Sequence, residues 1–208
     1  MKQKIYLITG LMASGKSTVS DLLAKSIEKC VHLRGDVFRK MIISGRENMS
    51  ATPSAEAVRQ LYLRYKLTAD AARSYFDNGF SVVIQDNYYG DELNRMINYL
   101  HKYPVEVVVL CPDVETIKER ERYREKTGYS GFTVETLYDT FMQTTPRIGF
   151  WLDNSNQTPQ QTAENILNAR KLFVLIRHAS GMHYSRLTGC PPSLLLLFYE
   201  ALYQIMPQ

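Results

Sequence analysis

The sequence predicts an α/β protein in three layers, a five-stranded parallel sheet with helices on both faces. Two patterns carry that expectation. Short runs rich in β-branched residues alternate with longer segments whose apolar residues recur every three or four positions. The short runs are apolar almost throughout, as strands covered on both faces must be. At 208 residues, with 45% hydrophobic and 22% charged, the chain is long enough for one such domain. It is neither a disordered tail, a collagen nor a small disulfide scaffold.

Five runs qualify as strands: Ile5 to Thr9, Val31 to Leu33, Ser81 to Gln85, Val105 to Leu110 and Ile148 to Leu152. The intervals hold helices. The clearest spans Ser54 to about Asn78, with Val58, Leu61, Tyr62, Tyr65, Ala69, Ala72 and Phe76 on one stripe and a stop at Asn78-Gly79. Arg59, Arg64, Lys66, Asp70 and Arg73 fall largely off that stripe and are expected in solvent. Asp113 can cap a helix running to about Lys126, and Thr158-Pro159 opens another ending near Arg170. From Lys171 the texture changes: charges are few, Pro191-Pro192 interrupts, and Leu194 to Leu197 lead into Phe198, Tyr199, Leu202 and Ile205. A helix capped at Ser193 would be apolar nearly all round and would have to bury itself against the body or a partner. The chain therefore reads as a domain of residues 1–170 with a C-terminal apolar appendage, residues 171–208, capable of self-association.

The net charge is +4, and half of it comes from the appendage, where Lys171, Arg177 and Arg186 face only Glu200. What remains on the domain is too little to argue for a nucleic-acid stripe. Cys30, Cys111 and Cys190 lie far apart, without disulfide or zinc spacing, and fit a reducing cytoplasm. Lys2 and Lys4 ahead of the apolar stretch Ile5 to Ala13 imitate a secretory signal, but cleavage there would cut through the best motif in the chain. No stretch reaches the length needed to span a bilayer as a helix.

That motif is Gly10-Leu11-Met12-Ala13-Ser14-Gly15-Lys16-Ser17-Thr18, a match to GxxxxGK[ST] between the first strand and an apolar-periodic helix (Val19, Leu22, Leu23, Ile27). Glycines let successive backbone N–H groups turn inward around a phosphate, and the helix N-terminus adds partial positive charge. Gly10, Ala13, Ser14, Gly15 and Thr18 would thus cradle ATP, with Lys16 reaching the β- and γ-phosphates. Ser17 can ligate Mg²⁺, a hard cation that prefers oxygen. The fold class sharpens accordingly to a P-loop NTPase.

With this loop in place, residues 1 to about 170 resemble the P-loop kinases of small molecules. The segment Val31-His32-Leu33-Arg34-Gly35-Asp36-Val37-Phe38-Arg39 is similar to their second strand and acceptor loop. The nearest likeness is to chloramphenicol-phosphotransferase-like and zeta-toxin-like kinases, and more loosely to gluconate kinases. The resemblance implies transfer of the γ-phosphoryl group of ATP to a hydroxyl, and a small helical lid at about 118–133. Asp36 ends a short strand, where open α/β sheets place ligand-binding residues. It could take the proton of the attacking hydroxyl, or merely cap a helix beginning at Val37. Arg39, one turn on, could hold the acceptor or stand idle at the surface. Asp86, closing the third strand, would hold Mg²⁺ through water, or simply start a loop. Arg120 and Arg124 are i,i+4 like charges, which is mildly unfavourable unless an anion lies between them. The resemblance makes them lid arginines over the transferring phosphoryl group; ion pairing of Glu121 with Arg124 and of Arg122 with Glu125 would make them a solvated face instead. Gly128 and Gly131 would sit at the lid tip. Asn154 and Ser155 are placed like an adenine-side loop, though turn chemistry alone explains them.

Other readings compete. No NKxD motif supports a GTPase. A nucleoside monophosphate kinase would also use Gly35-Asp36 followed by Arg39, but Gln85-Asp86-Asn87-Tyr88-Tyr89-Gly90 replaces that family's Asp-Gly-Phe-Pro-Arg. Gluconate kinases follow Gly-Asp with His-Pro, where Phe38-Arg39 stands here. A non-catalytic or RNA-end nucleotide-binding protein draws weak support from a pI of 8.9 and 14 tyrosines. Tyr62, Tyr65, Tyr88, Tyr89 and Trp151 could line an acceptor pocket, although aromatics at helical spacing are more often core.

Overall fold

The structure, a computed structural model, describes residues 2–50, 52–123 and 133–180, with side chains to Ala169. The chain divides into two compact units, residues 1–170 and 171–208. In the first, β1 (Ile5–Gly10), β2 (Cys30–Arg34), β3 (Ser81–Gln85), β4 (Val105–Leu110) and β5 (Phe150–Leu152) form one sheet in the order β2-β3-β1-β4-β5, with every pair parallel. Each parallel step needs a crossover. The connections supply α1 (Lys16–Lys25), α2 (Gly35–Lys40), α3 (Ala55–Asp77), α4 (Asp91–Tyr99), α5 (Val114–Arg122) and α6 (Val134–Thr144), and α7 (Pro159–Ser180) follows β5.

Strand side chains alternate faces with a period of two, and the two cores follow that alternation. Tyr6, Ile8, Val83, Val108 and Leu110 pack on Val19 and Leu23 of α1 and on Ala163 and Ile166 of α7. Ile5, Leu7, Val82, Ile84, Val107 and Val109 pack on the other side against α3, α4, α5 and α6, through Tyr65, Ala69, Leu93, Met96, Ile117 and Phe141 among others. Burying a Val, Leu or Ile side chain fully is worth about 1.5–3 kcal/mol, so β1 and β3, buried at every position, anchor the fold.

Local signals set the helix ends. Ser54 Oγ accepts from Ala57 N at 3.0 Å. Gly79, at φ 85°, returns its N–H to Phe76 O at 2.9 Å, which closes α3 where Asn78-Gly79 predicted. Asp113 caps α5 by accepting from Thr116 N at 2.7 Å. Several boundaries differ from expectation. β5 begins at Phe150, because Gly149 takes φ 78° and its Cα lies so near Val107 O that a Cβ would sit 2.3 Å away. α5 ends at Arg122, and the expected remainder from Arg124 lies outside the described residues, as do the proposed lid tip at Gly128 and Gly131 and the helix at Ser193. α7 runs past Arg170 to Ser180, no glycine or proline intervening before Gly181. Among the described residues no helix is long and apolar enough to cross a membrane.

The register places Gln85 of β3 level with Ile8 of β1 and Arg34 of β2. The loops leaving β1, β2 and β3 therefore meet at the carboxyl edge of the sheet, where such folds hold ligands.

Candidate active site

The loop from Gly10 to Gly15 turns through three left-handed or otherwise positive φ angles, 144° at Gly10, 64° at Ala13 and 92° at Gly15. A Cβ on Gly10 would lie 2.3 Å from Leu110 O, so only glycine fits between β1 and β4. Ala13 has no such freedom, and a strained non-glycine residue of this kind is more often found at a working site than elsewhere. Lys16 is folded into the loop and donates to Gly10 O at 2.7 Å and to Leu11 O at 2.6 Å. Ser14 Oγ is buried and makes no hydrogen bond among the described residues. A cradle of glycines, a buried ammonium and an orphaned hydroxyl together fit a polyphosphate. On the first turn of α1, Thr18 is exposed and Ser17 Oγ donates to Gln85 Oε1 at 2.8 Å.

At the ends of β2 and β3, Asp86 is buried. Its Oδ1 accepts from Asn87 N at 2.8 Å. Arg64 Nε, from α3, lies 3.0 Å from its Oδ2, the two side chains 12% and 7% exposed, an ion contact without hydrogen-bond geometry that leaves Oδ2 an orphan acceptor among the described residues. Burial pushes the Asp86 carboxyl up, with Arg64 and the Asn87 N–H opposing. Gly35 packs directly on this carboxylate: a Cβ there would fall 2.1 Å from Oδ2. Arg64 was expected in solvent, yet α3 buries Gln60 and Thr68, one turn either side of it, so the buried face includes position 64. The hydroxyl of Ser17 and the amide oxygen of Gln85 are hard oxygen donors, and the Asp86 charge reaches Lys16; this donor set fits Mg²⁺.

Asp36 lies within the first turn of α2, whose N-cap is Arg34 and has no side-chain cap. The capping role considered for Asp36 is thereby excluded, since the helix begins before it. Its Oδ2 accepts from Lys40 Nζ at 2.8 Å, and Arg34 Nε stands 3.6 Å from Oδ1. Partial burial pulls its carboxyl upward, but Lys40, Arg34 and Arg64 outweigh it and hold the carboxyl below its ordinary value. Arg39 donates to Asn48 Oδ1.

On the other side of the loop, Arg120 of α5 donates to Asn154 O at 2.9 Å and to Ser14 O at 3.4 Å. Asn154 Nδ2 donates to the same Ser14 O at 3.1 Å, while its Oδ1 is buried without a partner among the described residues. Arg120 and Asn154 thus both touch the phosphate loop. Ser155 does not: its Oγ accepts from Asp113 N and donates to Asp153 Oδ1, which is turn organisation. Arg124 lies outside the described residues. The aromatic residues belong to the core, with Tyr65 and Tyr88 fully buried at a ring separation of 4.9 Å and Tyr62, Tyr89 and Trp151 partly buried against the same core cluster.

Two site residues escaped the sequence reading. Gln85 carried a usable signal, a polar residue closing an otherwise apolar strand beside Asp86. Arg64 carried one in the polar neighbours Gln60 and Thr68.

The chain matches an AAA domain family over residues 5–144. No curated protein sequence matches it. Solved structures share its fold. A sugar kinase of Janibacter sp. HTCC2649 aligns with a TM-score of 0.60 and 19% identity over 81% of this chain and 95% of its own. The tunicamycin resistance protein of Deinococcus radiodurans gives 0.64 and 16% over 81% and 96%. The APS kinase of Mycobacterium tuberculosis, in complex with AMPPNP and APS, gives 0.60 and 16% over 81% and 98%. At such identities the likeness is one of fold. With the family matched from β1 to the end of α6 and a GxxxxGK[ST] loop at the mouth of an all-parallel sheet, the chain belongs to the AAA domain family and has the P-loop fold of small-molecule kinases.

Proposed function

We propose that the chain is an ATP-dependent kinase that phosphorylates a hydroxyl of a small molecule. The observation that carries this reading is a half-exposed carboxylate, Asp36, held ionised by Lys40 and Arg34 at the same sheet edge as the phosphate loop. The backbone N–H groups of residues 10–18 would grip the phosphates. Lys16 would exchange its two loop carbonyls for phosphoryl oxygens, and Ser17, with Asp86 through water, would hold Mg²⁺. Bound MgATP supplies the γ-phosphoryl group, with the cation offsetting charge on its oxygens. Asp36 would take the hydroxyl proton as the acceptor oxygen bonds to the γ-phosphorus and the bond to the β–γ bridging oxygen breaks, leaving ADP and a phosphate ester. Arg120, joined by Arg124, would stabilise the charge in transit. Asn154 and Ser155 would flank the nucleotide.

A nucleoside monophosphate kinase is the second reading, favoured by Arg39 beside Arg46 and Arg64. The two readings separate at Asp36, because a phosphate acceptor brings no hydroxyl proton to remove. The test is ADP release over a panel of sugar acids, aminoglycosides, phenicols, nucleosides and nucleoside monophosphates, with Lys16→Ala as control. Charge-assisted hydrogen bonds are worth about 1.5–3 kcal/mol, so Lys16→Ala should weaken MgATP binding about 10- to 100-fold by calorimetry. Unchanged affinity and unchanged turnover together would remove the assignment.

A further inference from the structure

Between α2 and α3 runs a groove of about 160 Å³, a volume of the order that admits one aromatic ring. Phe38, Met41 and Ile42 line it from one side and Leu63 and Leu67 from the other. Met41, Leu63 and Leu67 remain 64%, 40% and 37% exposed, an apolar surface of the kind that marks a binding site. Arg39 and Arg64 also line it. Arg64 is committed to Asp86, whereas Arg39 hydrogen-bonds only to the neutral Asn48 among the described residues and forms no ion pair there. Burial, first, and the charges of Arg64 and Arg46 push the Arg39 guanidinium down, outweighing Asp36 and Asp86, a balance that a bound anion would relieve. The groove also leads to the reacting end. Arg39 is one helical turn from Asp36, and Arg64 contacts the Asp86 carboxylate on which Gly35 packs.

We propose that this groove receives the apolar part of the acceptor, so that the substrate class is an amphiphilic alcohol with an anionic group on Arg39 and an aryl or alkyl body between α2 and α3. The proposal rests on the kinase reading for the hydroxyl, and on the groove alone for the apolar body. An apolar lining with a few convergent polar groups is the usual form of a small-molecule site. A compact, fully polar sugar would leave Met41, Leu63 and Leu67 wet.

The test uses the full chain and two probes that differ in one group, 4-nitrophenyl β-D-glucuronide and methyl β-D-glucuronide, titrated calorimetrically with MgADP present. The aryl probe should bind at least ten-fold tighter, and Leu67→Asp should erase that preference. Leu67→Gln serves the same purpose should the charge prevent folding. Arg39→Gln should weaken both probes alike. Equal or undetectable affinities, or an aryl preference that survives both Leu67 variants, would overturn the proposal. Self-association abolished by Leu67→Asp would overturn it too, assigning the groove to a second copy of the chain. ADP release from MgATP is read in parallel. An aryl preference that depends on Leu67, with no ADP release from these probes or from any member of the acceptor panel, sinks the kinase reading and keeps the subsite, whereas ADP release with equal affinities does the reverse.

Discussion

Asp36 and Asp86 stand on neighbouring loops with opposite electrostatics, and each difference is measurable. Asp36 is held below its ordinary carboxyl value by Lys40, Arg34 and Arg64 against the pull of burial, so it is ionised across the neutral range, as a group that receives the hydroxyl proton must be. Asp36→Asn should leave MgATP binding and melting temperature nearly unchanged while phosphoryl transfer falls roughly 10² to 10⁴-fold, the usual share of a positioned base. Any acid limb due to Asp36 should lie below the ordinary aspartate value of about 3.9. The sign for stability agrees: a depressed carboxyl stabilises the fold above its unfolded value, and the benefit is lost as pH drops through the folded one. Wild-type-like turnover of the Asn variant would end the catalytic role. Asp86 behaves oppositely, because burial raises it. Its contribution is present at low pH and declines as pH rises through the folded value, with Arg64 limiting the loss. Removing the guanidinium in Arg64→Met strands a buried charge and should cost about 3–5 kcal/mol at neutral pH. That cost should shrink at the lower of two pH values, as protonation neutralises Asp86, when urea unfolding is compared at both. An equal cost at both would show that the pair is not the source of the effect.

The elements around the site are joined by a few close approaches. α2 can start at Gly35 only because nothing projects from its Cα toward Asp86. Gly35→Ala should therefore displace either the β2–α2 junction or the carboxylate, at about 1–3 kcal/mol as for other overpacked sites. Asp86→Ser in the same chain should recover part of that loss. Strict additivity of the two changes in denaturant unfolding would rule out the contact. α3 illustrates why one helix can be read well and one of its residues badly. Its caps and apolar stripe are local, and they predicted its ends to within a residue. Arg64, by contrast, is drawn inward by a carboxylate on another element, with its guanidinium carbon 5.4 Å from the centre of the Tyr65 ring.

The whole molecule is a P-loop domain of residues 1–170 followed by a second unit, 171–208. The first unit contains both cores and every described site residue. A chain ending at Arg170 should therefore keep its cooperative unfolding and bind MgATP, and the appendage should bear on solubility or self-association. Failure of the shortened chain to fold or to bind would make residues 171–208 part of the core. The sheet order explains the location of the site. β1 lies between β3 and β4, so the phosphate loop emerges where it can meet loops from both sides. The β3 side brings Gln85 and Asp86, and the β4–β5 side brings Arg120 and Asn154.

The phosphate loop, the caps at Ser54 and Asp113 and the closing turn at Gly79 were legible along the chain because each depends on backbone sterics and hydrogen bonds within a few residues. The alternation of strands and helices was legible for the same reason, being a periodicity rather than a contact. The bond from Ser17 to Gln85 spans 68 residues and that from Asn154 to Ser14 spans 140. No local pattern encodes such pairs. They exist because strand order and register bring the ends of β1, β3 and β5 to one edge, and because a charge buried there, as at Asp86, needs an opposite charge from whichever element packs beside it.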